Sequence, residues 1–166
     1  WIESSPFAVV ATVGPDGVDV SPRGDPAPVV RIVDGHTLLL PERRGNNRID
    51  GLRNLIADPR LSILFFVPGV NETVRVNGKA LISASPDLLR SFAVNGALPR
   101  CVLVVTVETV YFQCARALIR SDLWHQTAAP KSVPTAGEIL DTLTDGAIGG
   151  LAYDEALPAR QQATLY

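Results

Sequence analysis

Apolar and polar positions alternate, or apolar residues run together in short blocks, through the first two thirds of the chain. "FAVVATV" (Phe7 to Val13) leads into Gly14-Pro15-Asp16-Gly17 and then "VDVS". That is a strand, a strong turn and a second strand. "PVVRIV" and "TLLL" are joined across Asp34-Gly35, a dipeptide suited to the positive-φ positions of a tight hairpin turn. "RLSILFFV" runs to Pro68-Gly69, "ETVRVNGKALIS" follows, and "CVLVVTVETVYFQC" supplies a last long strand. Turns rather than regular helices separate these runs, which predicts an antiparallel sheet closed into a barrel or sandwich.

Helical patterns are fewer. Asn47 is placed to cap a helix from Arg48 to Ala57, stopped by Asp58-Pro59. Ser85-Pro86 reads as the cap and first residue of a helix to about Val94. Thr135 and Glu138 have capping-box spacing before "ILDTL", and Thr127 to Pro134 reads as a linker.

Composition narrows the function. At 166 residues and a net charge of -2, bulk electrostatics favour neither a nucleic-acid nor an anionic-membrane partner. No apolar run approaches the roughly 20 residues of a membrane span, and no signal peptide is visible. The chain opens on Trp1 rather than Met, so residues are expected upstream and targeting stays open. Cys101 and Cys114 are too few for a disulfide framework and read as buried free thiols in a reducing, cytoplasmic setting. Of 15 basic residues only Lys79 and Lys131 are lysine, so a role for any arginine must rest on its position.

One position stands out. "LLLPERRGNNRIDGLRN" places Arg44, Gly45, Asn46, Asn47 and Arg48 between a strand and the mouth of a helix. Unpaired helix N–H groups attract anions, and a guanidinium fork suits phosphate oxygens. Phosphate binding and a solvated loop with an ordinary Asn cap both fit this run, which matches neither a P-loop nor a dinucleotide fingerprint. Arg31 inside "VVRIV" and Arg75 inside "TVRVNG" alternate with apolar neighbours, and each faces either water or a site. His36 is expected to be an exposed turn residue, His125 stays outside the site, and Asp25 is a candidate partner for Arg23.

Three stretches, "DVSPRGDPAPVVRIVDGHTLLLPERRGNNRIDGLRN", "ADPRLSILFFVPGVNETVRVNGKA" and "YFQCARALIRSDLW", resemble the pyridoxamine 5'-phosphate oxidase-like flavoproteins. The likeness is closest to the subgroup of FMN-dependent enzymes of unknown substrate. It implies a mainly β fold, a six-stranded antiparallel split β-barrel over residues 1–126, with a linker and a helical segment over 127–166 packing on it. It further implies a homodimer with FMN held at the subunit interface, a small-molecule substrate and oxidoreductase activity.

By this resemblance Arg31, Asn46, Asn47 and Arg48 hold the FMN phosphate, and Pro41 and Glu42 line the ribityl and ring region. Thr73 and Arg75 lie on a strand passing the isoalloxazine. Gln113, Arg120 and Trp124 reach the flavin from the partner subunit. Arg23 in "SPRGD" is the candidate for holding an anionic substrate. A lysine is expected where Arg116 stands. The arginine expected before Leu157-Pro158 is missing, which argues against pyridoxamine phosphate as substrate. A deazaflavin- or heme-binding split barrel and a non-catalytic flavin-binding module are the alternatives.

Overall fold

The structure is a computed structural model, and it describes every residue except Asn46, Gln126, Thr127, Ala129 and Lys131. Two compact units divide it, Trp1–Trp124 and His125–Tyr166. The break falls two residues before the boundary expected at 126/127, and the expected linker lies partly outside the described residues.

The first unit is a seven-stranded antiparallel sheet: β1 (Phe7–Gly14), β2 (Gly17–Gly24), β3 (Arg31–Asp34), β4 (Thr37–Glu42), β5 (Arg60–Phe66), β6 (Thr73–Ser83) and β7 (Cys101–Gln113), in the order β2-β1-β5-β6-β7-β4-β3. The resemblance implied six strands. The structure has seven, with β2 paired to β1 in unbroken register from Phe7↔Gly24 to Gly14↔Gly17.

Alternation builds the core. Ala8 and Val10 of β1, Leu61, Ile63 and Phe65 of β5, Val76 and Ala80 of β6, Leu103 and Val105 of β7, and Leu38 and Leu40 of β4 form one buried cluster. Strands from across the sheet therefore surround a single core, as in a split barrel. Each fully buried Val, Leu, Ile or Phe side chain among them contributes about 1.5–3 kcal/mol. Helix α1 (Asp50–Ala57) adds Leu55 to the same cluster.

Local details depart from the sequence pattern. Strand β3 begins at Arg31, after Val29 and Val30 have already been buried in the core. The hairpin turn is Gly35-His36 rather than Asp34-Gly35, because the Asp34 carboxylate accepts from the His36 backbone N–H at 2.8 Å and starts the turn from the strand end. This bond first, and then a hydrogen bond from the Thr37 side chain, hold the Asp34 carboxyl below its ordinary range.

Helix α1 starts at Asp50, not Arg48, and Asn47 is not its cap. Ile49 occupies that position with φ 54°, and Asn47 has φ 64°, so neither supplies an extended capping backbone. Helix α2 (Pro86–Arg90) has Pro at its start but ends four residues short of Val94, where Asn95 and Gly96 turn the chain at φ 51° and 81°. A further short helix, α3 (Arg116–Ser121), follows β7.

The second unit pairs α4 (Ala136–Leu143) with α5 (Gly150–Ala163). The expected capping box is present: Glu138 N–H donates to Thr135 Oγ1 at 3.1 Å, and Thr135 N–H donates to Glu138 Oε2 at 2.8 Å. The Asp154 carboxylate also accepts from Thr135 Oγ1 and the Gly137 N–H, tying the two helices together. Leu157-Pro158 lies inside α5.

Candidate functional site

The long hairpin of β6 and β7 positions the first group of side chains. Before residue 78, Val74 and Val76 point into the core, so Thr73, Arg75 and Asn77 point outward. On β7, Leu103 and Val105 point inward with Val107 packed behind them, and unbroken alternation would turn Thr109, Tyr111 and Gln113 inward as well. A bulge prevents this. Asn77 pairs with Thr109 but Gly78 pairs with Val107, leaving Glu108 as an extra residue. Beyond it Thr73 faces Gln113 and Arg75 faces Tyr111, so three of the expected cofactor residues share one outer face.

Arg75 is the most informative of them. Its guanidinium carbon lies 4.8 Å from the centre of the Tyr111 ring. Its Nε is buried and, among the described residues, has no hydrogen-bond partner. Trp124 sits at the loop leading into β6, where its indole N–H donates to the Val70 carbonyl of the same chain at 2.8 Å. Arg120 is exposed on α3.

A second group meets at the end of α2. Arg31 donates from Nη1 to Ser91 Oγ at 3.0 Å and from Nη2 to the Ser91 carbonyl at 2.7 Å, and its guanidinium lies 3.9 Å over the Phe92 ring. Arg43 donates to the Phe92 carbonyl at 2.7 Å. The strand arginine and the start of the basic loop are thus joined through one two-residue segment. Nothing local in the sequence signals this, since the partners lie 49 and 60 positions apart.

Two pairings differ from expectation. Arg23 does not pair with Asp25; its Nε donates to Glu42 Oε1 at 2.8 Å, with further bonds to Ser21 Oγ and the Pro22 carbonyl. Asp25 instead takes a two-pronged contact from Arg43, at 2.8 and 2.7 Å. Neighbours on a strand point to opposite faces, so Glu42 shares the inward face of Leu38 and Leu40 while Pro41 faces the other way. The two cannot line one surface together. Asn47 and Arg48 are exposed ahead of α1, with Arg48 Nε bonded to Asp50 at 3.1 Å, and Asn46 lies outside the described residues. No group of three or more His, Cys, Asp or Glu suited to a metal occurs among the described residues.

The cysteines separate. Cys101 is buried as expected, and desolvation, then the Glu42 charge, push its thiol up to about 11. Cys114 is exposed, contrary to expectation, because β7 ends at Gln113 and the chain leaves the sheet. One thiol should therefore react in the native protein and both after unfolding. A colorimetric thiol titration measures this, and Cys114→Ser should abolish the native reaction; two thiols reacting in the folded state would contradict the burial of Cys101.

Comparison with known proteins follows the same division of the chain. HupZ of Group A Streptococcus superposes with a TM-score of 0.50 at 22% identity, over 67% of this chain and 87% of that one. A provisionally named pyridoxamine 5'-phosphate oxidase of Lactobacillus delbrueckii gives 0.51 at 20%, over 66% and 87%. General stress protein 26 of Bacillus anthracis gives 0.50 at 18%, over 68% and 87%. At such identities the shared property is the fold. No curated protein matches the chain. No helix among the described residues is long and apolar enough to cross a membrane. The sequence profile of the pyridoxamine 5'-phosphate oxidases matches residues 1–114, the whole seven-stranded sheet, and the chain belongs to that family.

Proposed function

We propose that the protein binds FMN and acts as an FMN-dependent oxidoreductase on a small-molecule substrate, as a homodimer with its sites between the subunits. One observation carries the flavin reading: the buried, unpartnered Nε of Arg75 on the outer face it shares with Thr73 and Gln113. A buried donor without an acceptor costs about 1–3 kcal/mol, and more when charged. Such a donor fits a ligand that brings acceptors to that face, and the carbonyl-rich edge of a flavin ring does so. Membership of the family supports the same ligand.

FMN would supply the hydride and electron chemistry. The chain's residues would bind, orient and tune it. Arg75 would donate to a ring acceptor and favour added negative charge there. Thr73 and Gln113, paired across β6 and β7, would offer hydrogen bonds beside it. Arg31, Asn46, Asn47 and Arg48 would hold the phosphate, and Pro41, Arg120 and Trp124 would border the cofactor. Arg23 and Glu42 satisfy each other and are left out of the ligand shell. Tyr111, exposed on this face, favours a partner subunit as its cover, while the exposed Val110 and Phe112 lie on the other side of β7. The free thiols fit a cytoplasmic setting.

The test begins with the visible spectrum of the purified protein and the mass of any chromophore released from it. Flavin bands and FMN are expected; a Soret band or a deazaflavin mass would replace the cofactor. Titration should then give at least about tenfold tighter binding of FMN than of riboflavin, as one charged phosphate contact provides. Arg75→Gln should weaken both flavins alike, because it acts on the ring. A flavin affinity unchanged by Arg75→Gln would remove the argument. A monomer that binds FMN tightly and stoichiometrically in sedimentation would refute the shared site.

A further inference from the structure

We infer that Ser91 and Phe92 are positioning residues that hold the Arg31 guanidinium ready for a phosphate group, and so set the preference for FMN over its dephosphorylated form. This rests on the FMN reading above. Ser91 accepts from both Nη1 and Nη2 through its hydroxyl and carbonyl oxygens, and the Phe92 ring covers one face of the guanidinium at 3.9 Å. Together these fix the plane and direction of a side chain that otherwise samples many rotamers. The fork has more N–H donors than these two bonds use.

The platform is itself braced. Ser91 Oγ, while accepting from Arg31, donates to the Leu88 carbonyl at 2.8 Å, and the Ser91 N–H donates to the Asp87 carbonyl at 3.0 Å. On the other side the Phe92 carbonyl accepts from Arg43, which the Asp25 carboxylate anchors. Charge distinguishes Arg31 from Arg23 and Arg43. Arg23 is neutralised by Glu42 and Arg43 by Asp25. Among the described residues Arg31 meets only neutral oxygens and a ring. An oriented cation that lacks a carboxylate can take a phosphate without first breaking an ion pair.

The experiment titrates the apo dimer with FMN and with riboflavin and reads the ratio of the two affinities. Phe92→Leu should lower FMN affinity about threefold, as loss of a cation–π contact implies. The double variant Ser91→Ala/Phe92→Leu should lower it about tenfold. Riboflavin affinity should stay within about twofold in both, and Phe92→Tyr should restore the FMN value. Arg31→Ala should bring FMN down to the riboflavin level, with no further loss when Phe92→Leu is added. A merely structural role would weaken both flavins together and leave the ratio unchanged, and that result overturns the inference. An FMN preference that depends on Arg31 but ignores Ser91 and Phe92 overturns it while leaving the FMN reading intact. Wild-type protein that binds neither flavin removes both.

Discussion

Gly78→Ala should destabilise the apo protein by about 3 kcal/mol, the upper end for overpacking a close-packed site. A Cβ at position 78 would lie 2.1 Å from the Thr106 carbonyl oxygen and 3.3 Å from the Val107 Cα. Both obstacles are backbone in the paired strand β7, so neither can swing aside. The expected readout is a lower denaturant midpoint and a melting temperature reduced by roughly 10 °C. The effect should reach the candidate site. Gly78 adjoins the bulge that turns Thr109, Tyr111 and Gln113 onto the outer face. A strand that relieved the clash by losing the bulge would turn these side chains inward. Flavin affinity should therefore fall even under conditions where the variant stays folded. Gly35→Ala is the control, since nothing lies within 4 Å of its Cβ and its φ is not positive; it should change stability by less than about 0.5 kcal/mol. Gly78→Ala matching that control would mean β7 accommodates the methyl group.

Glu42→Ala should cost about 2–3 kcal/mol of stability with little loss of FMN affinity. The Arg23–Glu42 pair is mostly buried, with side chains 19% and 11% exposed. Removing one partner strands the other, which costs roughly 3–5 kcal/mol for a fully buried pair and less with this residual exposure. A double-mutant cycle with Arg23→Met isolates the coupling, and the double variant should be more stable than Glu42→Ala alone. The variant should also make Cys101 easier to ionise, since the Glu42 charge is the second cause of its raised pKa. The resemblance placed Glu42 beside the ribityl chain. If Glu42→Ala weakens FMN binding more than about tenfold at unchanged stability, that placement is right and the ion pair is incidental.

Much of the scaffold was legible because it depends on near neighbours. Period-two alternation marked the strands, and Gly14-Pro15-Asp16-Gly17 marked the first hairpin, since the residues that decide a turn lie within it. The capping box at Thr135 and Glu138 was readable because donor and acceptor are three positions apart. Family membership was readable from ordered motifs. Short-range cues failed where two of them competed. Asn47 looks like a cap by residue type, yet its backbone turns left-handed before α1 and the helix begins later. Asp34-Gly35 looks like a turn centre, yet the Asp34 carboxylate captures the His36 N–H and moves the turn by one residue.

By itself the sequence determined the strand-rich barrel, its order of elements, the first hairpin and the family, because each follows from patterns a few residues wide or from motifs in a line. Only the tertiary structure decided which carboxylate each arginine meets. Arg23 chose Glu42 over the nearby Asp25, Asp25 went to Arg43, and Arg31 was left with Ser91 and Phe92. It also decided that a bulge at Gly78 brings Gln113 to the face of Thr73 and Arg75, and that the Arg75 Nε is buried without an acceptor. The physical reason is common to these cases. A guanidinium reaches several ångströms in any direction, and its partner is whichever oxygen the folded strands bring within reach. Alternation likewise holds only until an extra residue shifts it, and the residue that does so here is accommodated by the close approach of two backbones distant in sequence.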